Sequence, residues 1–428
     1  MKQLIGYLKG DKGIWSFVAL LALFSFMPVF SASSNLAYLG HGTGNTLGYL
    51  MKHFGHICFG FGIIYVFHKV PYLYFRSISK WFLPVVWVVL AITMIKGKVI
   101  GGANASRWIQ IPFVGISFQP STFAALVLFV FVARYLSKTR ENPINFVESL
   151  KELWGPVFIT LAFILPSNFS TTALIFAMVL MLVFIGKYPI KYIALIMGSG
   201  FLALLFFILV AKAFPDSFEN RVDTWQSRIE SFFSNKPGED DYQIEKAKIA
   251  IASGKIYGLG PGKSIQKNFL PQSSSDFIYA IIIEEYGLIG GLGVLLLYLL
   301  LMFRFVVASH KANTLFGKLV VIGLGFPIIF QAMINMAVAV ELLPVTGQTL
   351  PLISSGGTSI WITCIALGII IGVTKKEEEI TQELKDAAKR EEALQKLIDR
   401  ELEEDDVIAE GYSIEEVAKN PMQAVLNK

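Results

Sequence analysis

The chain has 428 residues, of which 54% are hydrophobic and only 16% are charged, and its mean hydropathy is +0.58. This composition is too apolar for an ordinary soluble protein. The formal charge of +5 requires no nucleic-acid partner, because basic loops between membrane spans produce the same excess. Cys58 and Cys364 both lie inside apolar runs, which indicates packing residues and neither a disulfide framework nor a zinc site.

Ten apolar runs predict an all-α polytopic membrane protein, since helices satisfy their own backbone groups in lipid. The runs do not alternate apolar and polar residues, which argues against a β-barrel. The predicted spans are 14–34, 47–67, 81–96, 119–136, 153–166, 170–186, 190–211, 277–303, 318–340 and 351–373. Pro166, Ser167 and Asn168 interrupt one longer apolar stretch, so it is interpreted as two short helices joined by a turn. The first run begins near Trp15 and is long enough to span, so no cleavable signal peptide is expected.

The basic residues fall in alternate loops of this ten-span arrangement. With a cytoplasmic amino terminus, the loops on that side carry Lys2, Lys9, Lys12, Lys69, Arg76, Lys80, Arg134, Lys138, Arg140, Lys151, Lys187, Lys191, Arg304, Lys311, Lys318, Lys375 and Lys376. The outer segments 35–46, 165–169 and 341–350 contain no Lys or Arg, whereas loop 97–118 is an exception with two. The positive-inside rule therefore predicts cytoplasmic termini and an outer location for the long loop 212–276.

The composition changes abruptly after Thr374. This change predicts a membrane domain, 1–374, followed by a charged helical cytoplasmic tail, 375–428. The tail is rich in helix formers and contains i,i+4 pairs such as Asp386–Arg390 and Glu392–Lys396. Two interpretations stay open, a solvated helix and a docking helix for a cytoplasmic partner, because its apolar stripe is broken.

Two candidate sites carry little weight. GPGKS at Gly260–Ser264 ends like a nucleotide-binding P-loop, but Tyr257 stands where the first glycine belongs and no strand precedes it. That loop is also expected outside, away from ATP. His41, His53 and His56 could bind a metal ion, but no acidic ligand or regular spacing accompanies them, which favours interfacial histidines.

The acidic residues around position 276 are more informative. Asp276 follows three serines and precedes an apolar helix, a pattern typical of an N-cap that also suits a general base at the water–lipid boundary. Glu284 and Glu285 follow about two turns later, where a carboxylate at membrane depth needs a partner; structural and functional roles both stay open. Lys263 and Lys267 in the preceding loop could bind a pyrophosphate or could simply be solvated.

Four stretches together resemble the FtsW/RodA/SpoVE (SEDS) family. They are FSAS at 30–33, ASRWIQIPFVGISFQPS at 105–121, GLGPGKSIQKNFLPQSSSDFIYAIIIEEYGLIG at 258–290 and LLPVTGQTLPLISSGGTSIW at 342–361. The resemblance extends from about 14 to 373 and implies a ten-span enzyme of the cytoplasmic membrane. Such enzymes polymerise peptidoglycan glycan strands from lipid II at the outer face, together with a class B penicillin-binding protein that acts as transpeptidase. The overall likeness is greater to FtsW than to RodA, which implies cell division and further division proteins as partners.

The resemblance also implies roles for individual residues. Asp276 would be the catalytic general base that takes a proton from the acceptor sugar hydroxyl. Substrate-binding roles are implied for Arg107, Gln119, Lys263, Ser264 and Lys267. The cationic side chains of Arg107, Lys263 and Lys267 would stabilise the leaving undecaprenyl pyrophosphate. Structural or activating roles are implied for Glu284, Glu285, Pro344, Gly347, Pro351, Ser354, Gly356 and Gly357. No nucleotide and no protein metal site is expected, although a divalent cation, Mg²⁺ or Mn²⁺, is a candidate cofactor.

The chain departs from the family pattern in several places. Thr122 and Ala125 stand where the family usually has an acidic residue and a lysine, Ser274-Ser275 replaces His-Thr, and Ser355 replaces a tyrosine. The segment 167–171 replaces an acidic element. Because the block around Asp276 is intact, the missing ion pair is interpreted as structural in the relatives. Alternative functions are a lipid II transporter, a RodA-like elongation polymerase and a non-catalytic division scaffold.

Overall fold

The structure is a computed structural model, and it is predominantly helical. It describes residues 8–39, 46–96, 108–110, 117–140, 144–213, 222–234, 239–270, 273–375, 385 and 388–399. The chain divides into two compact units, Met1–Thr374 and Lys375–Lys428.

The first unit contains helices of very different lengths. They are α1 (Lys12–Leu39), α2 (Thr46–Lys69), α3 (Leu73–Lys96), α4 (Pro120–Thr139), α5 (Phe146–Ser149), α6 (Gly155–Ile164), α7 (Phe169–Ile185), α8 (Ile190–Ala213), α9 (Val222–Ser234), α10 (Glu239–Gly254), α11 (Ile278–Lys311), α12 (Leu315–Ala339) and α13 (Gly357–Val373). A π-helical turn, Leu150–Trp154, joins α5 to α6, and a 3₁₀ turn, Gln266–Asn268, lies before α11. Two short strands, β1 (Ile109–Gln110) and β2 (Ser117–Phe118), pair antiparallel just before α4.

Every predicted span coincides with a helix, so the all-α polytopic membrane fold is confirmed. Within the described residues, seven helices are long and apolar enough to cross a membrane: α1, α2, α3, α4, α8, α11 and α12. α7 and α13 are apolar but have 17 residues each, and α6 is shorter still. The exact number of crossings therefore stays a prediction. The turn predicted between α6 and α7 is present, and the Asn168 side chain caps α7 by accepting from the Thr171 amide at 3.2 Å.

The core of this unit surrounds α4, which contacts α3, α7, α12 and α13. α4 is apolar on all sides, and residues such as Leu128 and Val132 are fully buried. α8 is the opposite case, because its large apolar side chains, including Phe201 and Phe206, are mostly exposed. An exposed apolar surface of this kind is expected where a helix faces lipid.

α11 was predicted as one continuous span, but it is broken at Gly287, where φ is 68° and ψ is −173°. The break frees backbone groups that the preceding loop satisfies. The amides of Leu288 and Ile289 donate to the carbonyls of Lys255 and Ile256, at 2.9 and 3.3 Å. In return the carbonyls of Glu284 and Glu285 accept from the amides of Leu259 and Gly260, both at 2.9 Å. Irregular backbone at membrane depth is stable only when its polar groups are paired in this way.

An ion pair between Asp11 and Arg304 connects two helices at one end of the bundle. Asp11, whose side chain is 8% exposed, accepts from Arg304 Nε at 3.1 Å and makes a second contact with the same guanidinium. The Asp11 amide donates to Thr374 Oγ1 at 2.8 Å. These contacts join the start of α1 to the ends of α11 and α13.

In the second unit, residues 388–399 are helical and their side chains are exposed. The predicted pair of Glu392 and Lys396 is confirmed, with an N–O distance of 2.9 Å. Asp386 lies outside the described residues.

Candidate active site

A cavity of about 410 Å³ opens where α4, α7, α11 and α13 begin. Its mouth is polar and includes Gln119, Asn168, Thr171, Asp276, Gln348 and Ser355. Deeper in the bundle its walls, to which α12 also contributes, are mostly apolar and include Leu126, Phe129, Ile175, Leu324 and Ile362. Phe129 lies nine residues after the first residue of α4, which corresponds to a depth of roughly 14 Å.

Asp276 is the single charged side chain among the described residues that line this cavity, and it is half-buried. The other described residues that line the cavity near its carboxylate are neutral, and most of them are polar. Four helix N-termini meet here, because Gln119, Asn168 and Gly356 are the N-cap residues of α4, α7 and α13, and Asp276 immediately precedes that of α11. Helix N-termini carry partial positive charge, so the cavity favours anions without requiring a cationic side chain.

The N-cap role predicted for Asp276 is wrong. α11 begins at Ile278, and the N-cap position belongs to Phe277. Asp276 instead lies in a turn over 273–277, and its carbonyl accepts from Asn335 Nδ2 at 2.7 Å. The same amide nitrogen donates to the carbonyl of Gln348 at 2.7 Å. Asn335 therefore holds the backbone of Asp276 against the loop that follows α12.

That loop, 340–356, is joined to the Asp276 turn along its length. Ser354 Oγ donates to the Ser275 carbonyl and accepts from the Leu350 amide, both at 2.7 Å, and the Ser355 amide donates to the Ser274 carbonyl at 2.8 Å. Gly347 has a φ of 67°, and a Cβ there would lie 3.5 Å from Asp276 Oδ2. The loop thereby forms one wall of the pocket around the carboxylate.

Three further residues of the last motif support this arrangement. The Pro351 carbonyl accepts from the buried Tyr298 hydroxyl, and Pro344 lies at the start of the loop. A Cβ on Gly357 would lie 2.6 Å from the His56 ring, so the first turn of α13 packs directly on α2. These positions favour structural roles for the three residues.

Of the described residues that were predicted to bind substrate, only Gln119 lines the cavity. Ser264 and Lys267 are engaged elsewhere, since Lys267 Nζ donates to the Gly262 carbonyl at 2.9 Å and to Ser31 Oγ at 3.2 Å. Lys263 lies beside Gly260 in the same loop. Arg107 lies outside the described residues, although its neighbour Trp108 lines the cavity.

Glu284 and Glu285 anchor this lysine-containing loop. They are 0% and 1% exposed. Glu284 accepts from the amides of Ile265 and Gln266, at 2.9 and 3.2 Å, and from the Ser264 hydroxyl. Glu285 accepts from the Ser31 hydroxyl and from the Ser264 amide, the latter at 3.3 Å. Both oxygens of Glu284 are thus hydrogen-bonded, whereas Glu285 Oε2 is buried without a hydrogen-bond partner. The donors connect the loop to α1 and α11, which is an architectural arrangement.

The departures from the family pattern lie in the cavity wall. Thr122 and Ala125 both line it, and Thr122 Oγ1 donates to the Gln119 carbonyl of its own helix at 2.8 Å. Thr171 Oγ1 accepts from Gln348 Nε2 at 3.0 Å. Neutral side chains therefore occupy the wall where the family pattern has charges, and of the first pair only Thr122 can hydrogen-bond.

The sequence interpretation missed the amide side chains of α12 and of the loop after it. Gln331 lines the cavity and donates to the Thr349 carbonyl at 2.9 Å, while Asn335 positions Asp276 as described above. A signal was present, because amides inside an otherwise apolar span are costly and indicate a function or a required partner.

The histidines have other partners. His53 is buried and lies 2.9 Å from Ser25 Oγ, and the His56 ring packs edge-on against Trp361. His41 lies outside the described residues. Among the residues that the structure describes, no three His, Cys, Asp or Glu side chains are grouped as metal ligands would be.

The fold and site define a multi-pass helical membrane protein with a cavity at one end of its bundle, where Asp276 is the single carboxylate among the described lining residues. Residues 11–379 match the model of the FtsW, RodA and SpoVE family, described as cell cycle proteins. The chain belongs to this family.

Named relatives cover most of the chain. A probable peptidoglycan glycosyltransferase FtsW from Buchnera aphidicola is 33% identical over 85% of this chain and 93% of its own length. Stage V sporulation protein E from Bacillus subtilis is 31% identical over 74% of this chain and 84% of that protein.

Solved structures agree in fold. The rod shape determining protein RodA of Thermus thermophilus has a TM-score of 0.61 and 21% identity, and the match covers 86% of this chain and 98% of that one. A chain of a peptidoglycan synthase complex has a TM-score of 0.65 and 22% identity, with coverage of 85% and 97%.

Proposed function

We propose that this protein is a peptidoglycan glycosyltransferase that polymerises lipid II during cell division, with Asp276 as its general base. The observation that carries the proposal is the carboxylate of Asp276, the single charged side chain among the described residues of a cavity with a largely apolar interior. Family membership and the FtsW relatives support the reaction class.

The cavity suits a lipid-linked sugar. A saccharide headgroup would meet the amides and hydroxyls at the mouth, while an apolar chain would contact the deeper walls. In the reaction the acceptor hydroxyl oxygen bonds to the anomeric carbon of the donor, and the bond from that carbon to the pyrophosphate oxygen breaks. Asp276 receives the hydroxyl proton, which removes the positive charge that would otherwise develop on the attacking oxygen.

The leaving pyrophosphate needs electrostatic stabilisation. The N-termini of α4, α7, α11 and α13 supply partial positive charge at the cavity mouth. Arg107 is proposed as the cationic side chain that stabilises the pyrophosphate. The contacts of Lys267 favour a structural role for that residue.

A divalent cation, Mg²⁺ or Mn²⁺, is a further candidate for charge neutralisation. Asp276 is the single charged side chain among the described cavity residues. These residues therefore do not form a metal site by themselves. We propose that any such ion enters with the substrate phosphates, as hard cations commonly do.

We further propose a cytoplasmic membrane location with cytoplasmic termini and an outward-facing Asp276 cavity. The basic loop residues support this orientation. A class B penicillin-binding protein is the proposed transpeptidase partner, and other division proteins are proposed to contact the complex. The exposed helix 388–399 is available to a cytoplasmic partner.

The test uses the full chain, purified with its cognate penicillin-binding protein and supplied with labelled lipid II. Asp276→Asn is compared with wild type, and Asp223→Asn serves as a matched control because Asp223 is exposed on α9 and lies outside the cavity. Glycan strands are expected from wild type and the control alone. Equal polymer from Asp276→Asn would overturn its role.

A lipid II transporter is the main rival. Transport requires polar groups along a continuous path, whereas the described deeper walls of this cavity are mostly apolar, with Thr363 as an exception. Lipid II crossing vesicles without polymer from any variant would favour the transporter. Polymer made only with an elongation-type transpeptidase would favour a RodA-like role, and division defects without lost polymerase activity would favour a scaffold.

A further inference from the structure

A second cavity of about 400 Å³ lies at the opposite end of the same helices. It is formed where α4, α7 and α11 end and where α12 begins. Because α4, α7 and α11 begin at the Asp276 cavity, the two cavities lie toward opposite membrane faces. The proposed polymerase reaction uses only the first.

The rim of the second cavity is cationic. The cations Arg140, Lys187 and Lys318 line it from three chain segments, and the imidazole of His310 lines it from a fourth. None of the described residues that line it is acidic, and none of these four side chains forms an ion pair with a described residue. Convergent charges of one sign repel each other, so this arrangement favours a bound anion.

The remaining wall is apolar. Val306, Leu319, Ile322 and Phe326 continue from the cationic rim toward the middle of the bundle. Ile185 also lines the cavity and is 38% exposed on the outer surface of α7. An occupant that fits both parts has an anionic head and an apolar extension. A free inorganic anion would leave the apolar wall without a partner.

The backbone at Lys187 indicates that its side chain is needed. Lys187 has a φ of 61° and follows the end of α7, where its amide donates to the Phe184 carbonyl at 3.1 Å. This position strongly prefers glycine, since other residues are strained there. The glycine of this segment, Gly186, stands one residue before the position with positive φ. A Cβ on Gly186 would lie 2.8 Å from Leu136 Cδ1. The chain thus retains a strained lysine at the cavity rim.

We propose that this second cavity binds the phosphate headgroup of an anionic glycerophospholipid from the adjacent membrane leaflet, with an acyl chain against its apolar wall. Clusters of Lys and Arg between membrane helices are suited to such headgroups. A bound lipid would also fill the space between α7 and α12.

The test measures binding to the purified full chain in mild detergent. Phosphatidylglycerol is compared with phosphatidylcholine and with inorganic phosphate, using lipid retention in native mass spectrometry and the shift in unfolding temperature. The triple variant Arg140→Gln, Lys187→Gln, Lys318→Gln removes the rim charge, and each cation removed is expected to weaken phosphatidylglycerol binding by roughly fivefold. The matched control Lys138→Gln, Lys191→Gln, Lys311→Gln removes equal charge from exposed residues outside the cavity.

A second variant, Lys187→Gly, separates binding from folding. It relieves the backbone strain, so its unfolding temperature without lipid is expected to rise while phosphatidylglycerol binding weakens roughly fivefold. Equal stabilisation by phosphatidylcholine, saturation by inorganic phosphate alone, or equal weakening in the control variant would each overturn the proposal. So would unchanged phosphatidylglycerol binding in Lys187→Gly.

Discussion

The backbones of Gly258 and Gly287 lie so close that neither residue has room for a side chain. A Cβ on Gly258 would lie 2.6 Å from the Gly287 nitrogen, and one on Gly287 would lie 2.5 Å from the Gly258 nitrogen. Both residues have positive φ, at 81° and 68°. The contact joins the loop that precedes α11 to the break in that helix, and the half-helix before the break begins next to Asp276.

Gly287→Ala is expected to lower the free energy of unfolding by at least about 2 kcal/mol. The positive φ is strained for alanine, and the new Cβ would collide with the Ile256 carbonyl. Denaturant unfolding in detergent measures the loss. Gly262→Ala is the control, since Gly262 also has a positive φ of 77° but has no atom within 4 Å of an added Cβ. A cost of about 1 kcal/mol is expected there. Equal losses would show that backbone strain alone explains the effect.

Glu284→Gln is expected to destabilise the protein by about 2 kcal/mol, because both carboxylate oxygens accept hydrogen bonds and an amide nitrogen cannot replace either one. Glu285→Gln should cost less, since its described hydrogen bonds all end on Oε1. Thermal unfolding of both variants gives the order. Polymerase activity per folded molecule should change less than stability does. Normal stability with complete loss of polymerase activity would contradict an architectural role.

Asn335→Ala is expected to reduce the turnover rate of the proposed polymerase reaction about tenfold, because it releases the Asp276 carbonyl from the Gln348 loop. Asn335→Asp should be more damaging despite its similar shape, since a carboxylate would face two carbonyl oxygens. Rates measured at saturating lipid II provide the comparison. An Asn335→Asp variant as active as wild type would remove Asn335 from the positioning of Asp276.

Arg304→Gln is expected to lower the free energy of unfolding by about 2 kcal/mol, because it leaves the Asp11 carboxylate largely buried without its cation. The double variant Asp11→Asn, Arg304→Gln should recover part of the loss. A double-mutant cycle in unfolding experiments measures the coupling. Additive losses would indicate that the two side chains act independently.

Much of the fold follows from local patterns. The apolar runs predict the helices because burial in lipid depends mainly on local hydrophobicity, and Pro166 with Asn168 correctly predicts the turn between α6 and α7. The break at Gly287 is not predictable in the same way. A glycine inside an apolar span is common, and this one breaks α11 because the distant segment 255–260 supplies hydrogen-bond partners.

The site was only partly predictable. Gln119, Gly347 and Gly356, which the family resemblance singles out, line the cavity with Asp276. Lys267 is much closer to Asp276 in sequence than these three residues are, yet its side chain contacts Ser31. Sequence proximity places both residues in one loop but does not specify which face of the loop each side chain occupies.

The sequence by itself determined that this is an all-α multi-pass membrane protein, and its motifs singled out Asp276. Only the tertiary structure decided that Asp276 is the one charge among the described cavity residues and that four helix N-termini converge on it. The physical reason is separation along the chain. The hydrogen bonds that build the cavity join residues 59 positions apart, as for Asn335 and Asp276, or 177 apart, as for Gln348 and Thr171. Such pairings depend on packing of the whole bundle, which no local pattern encodes.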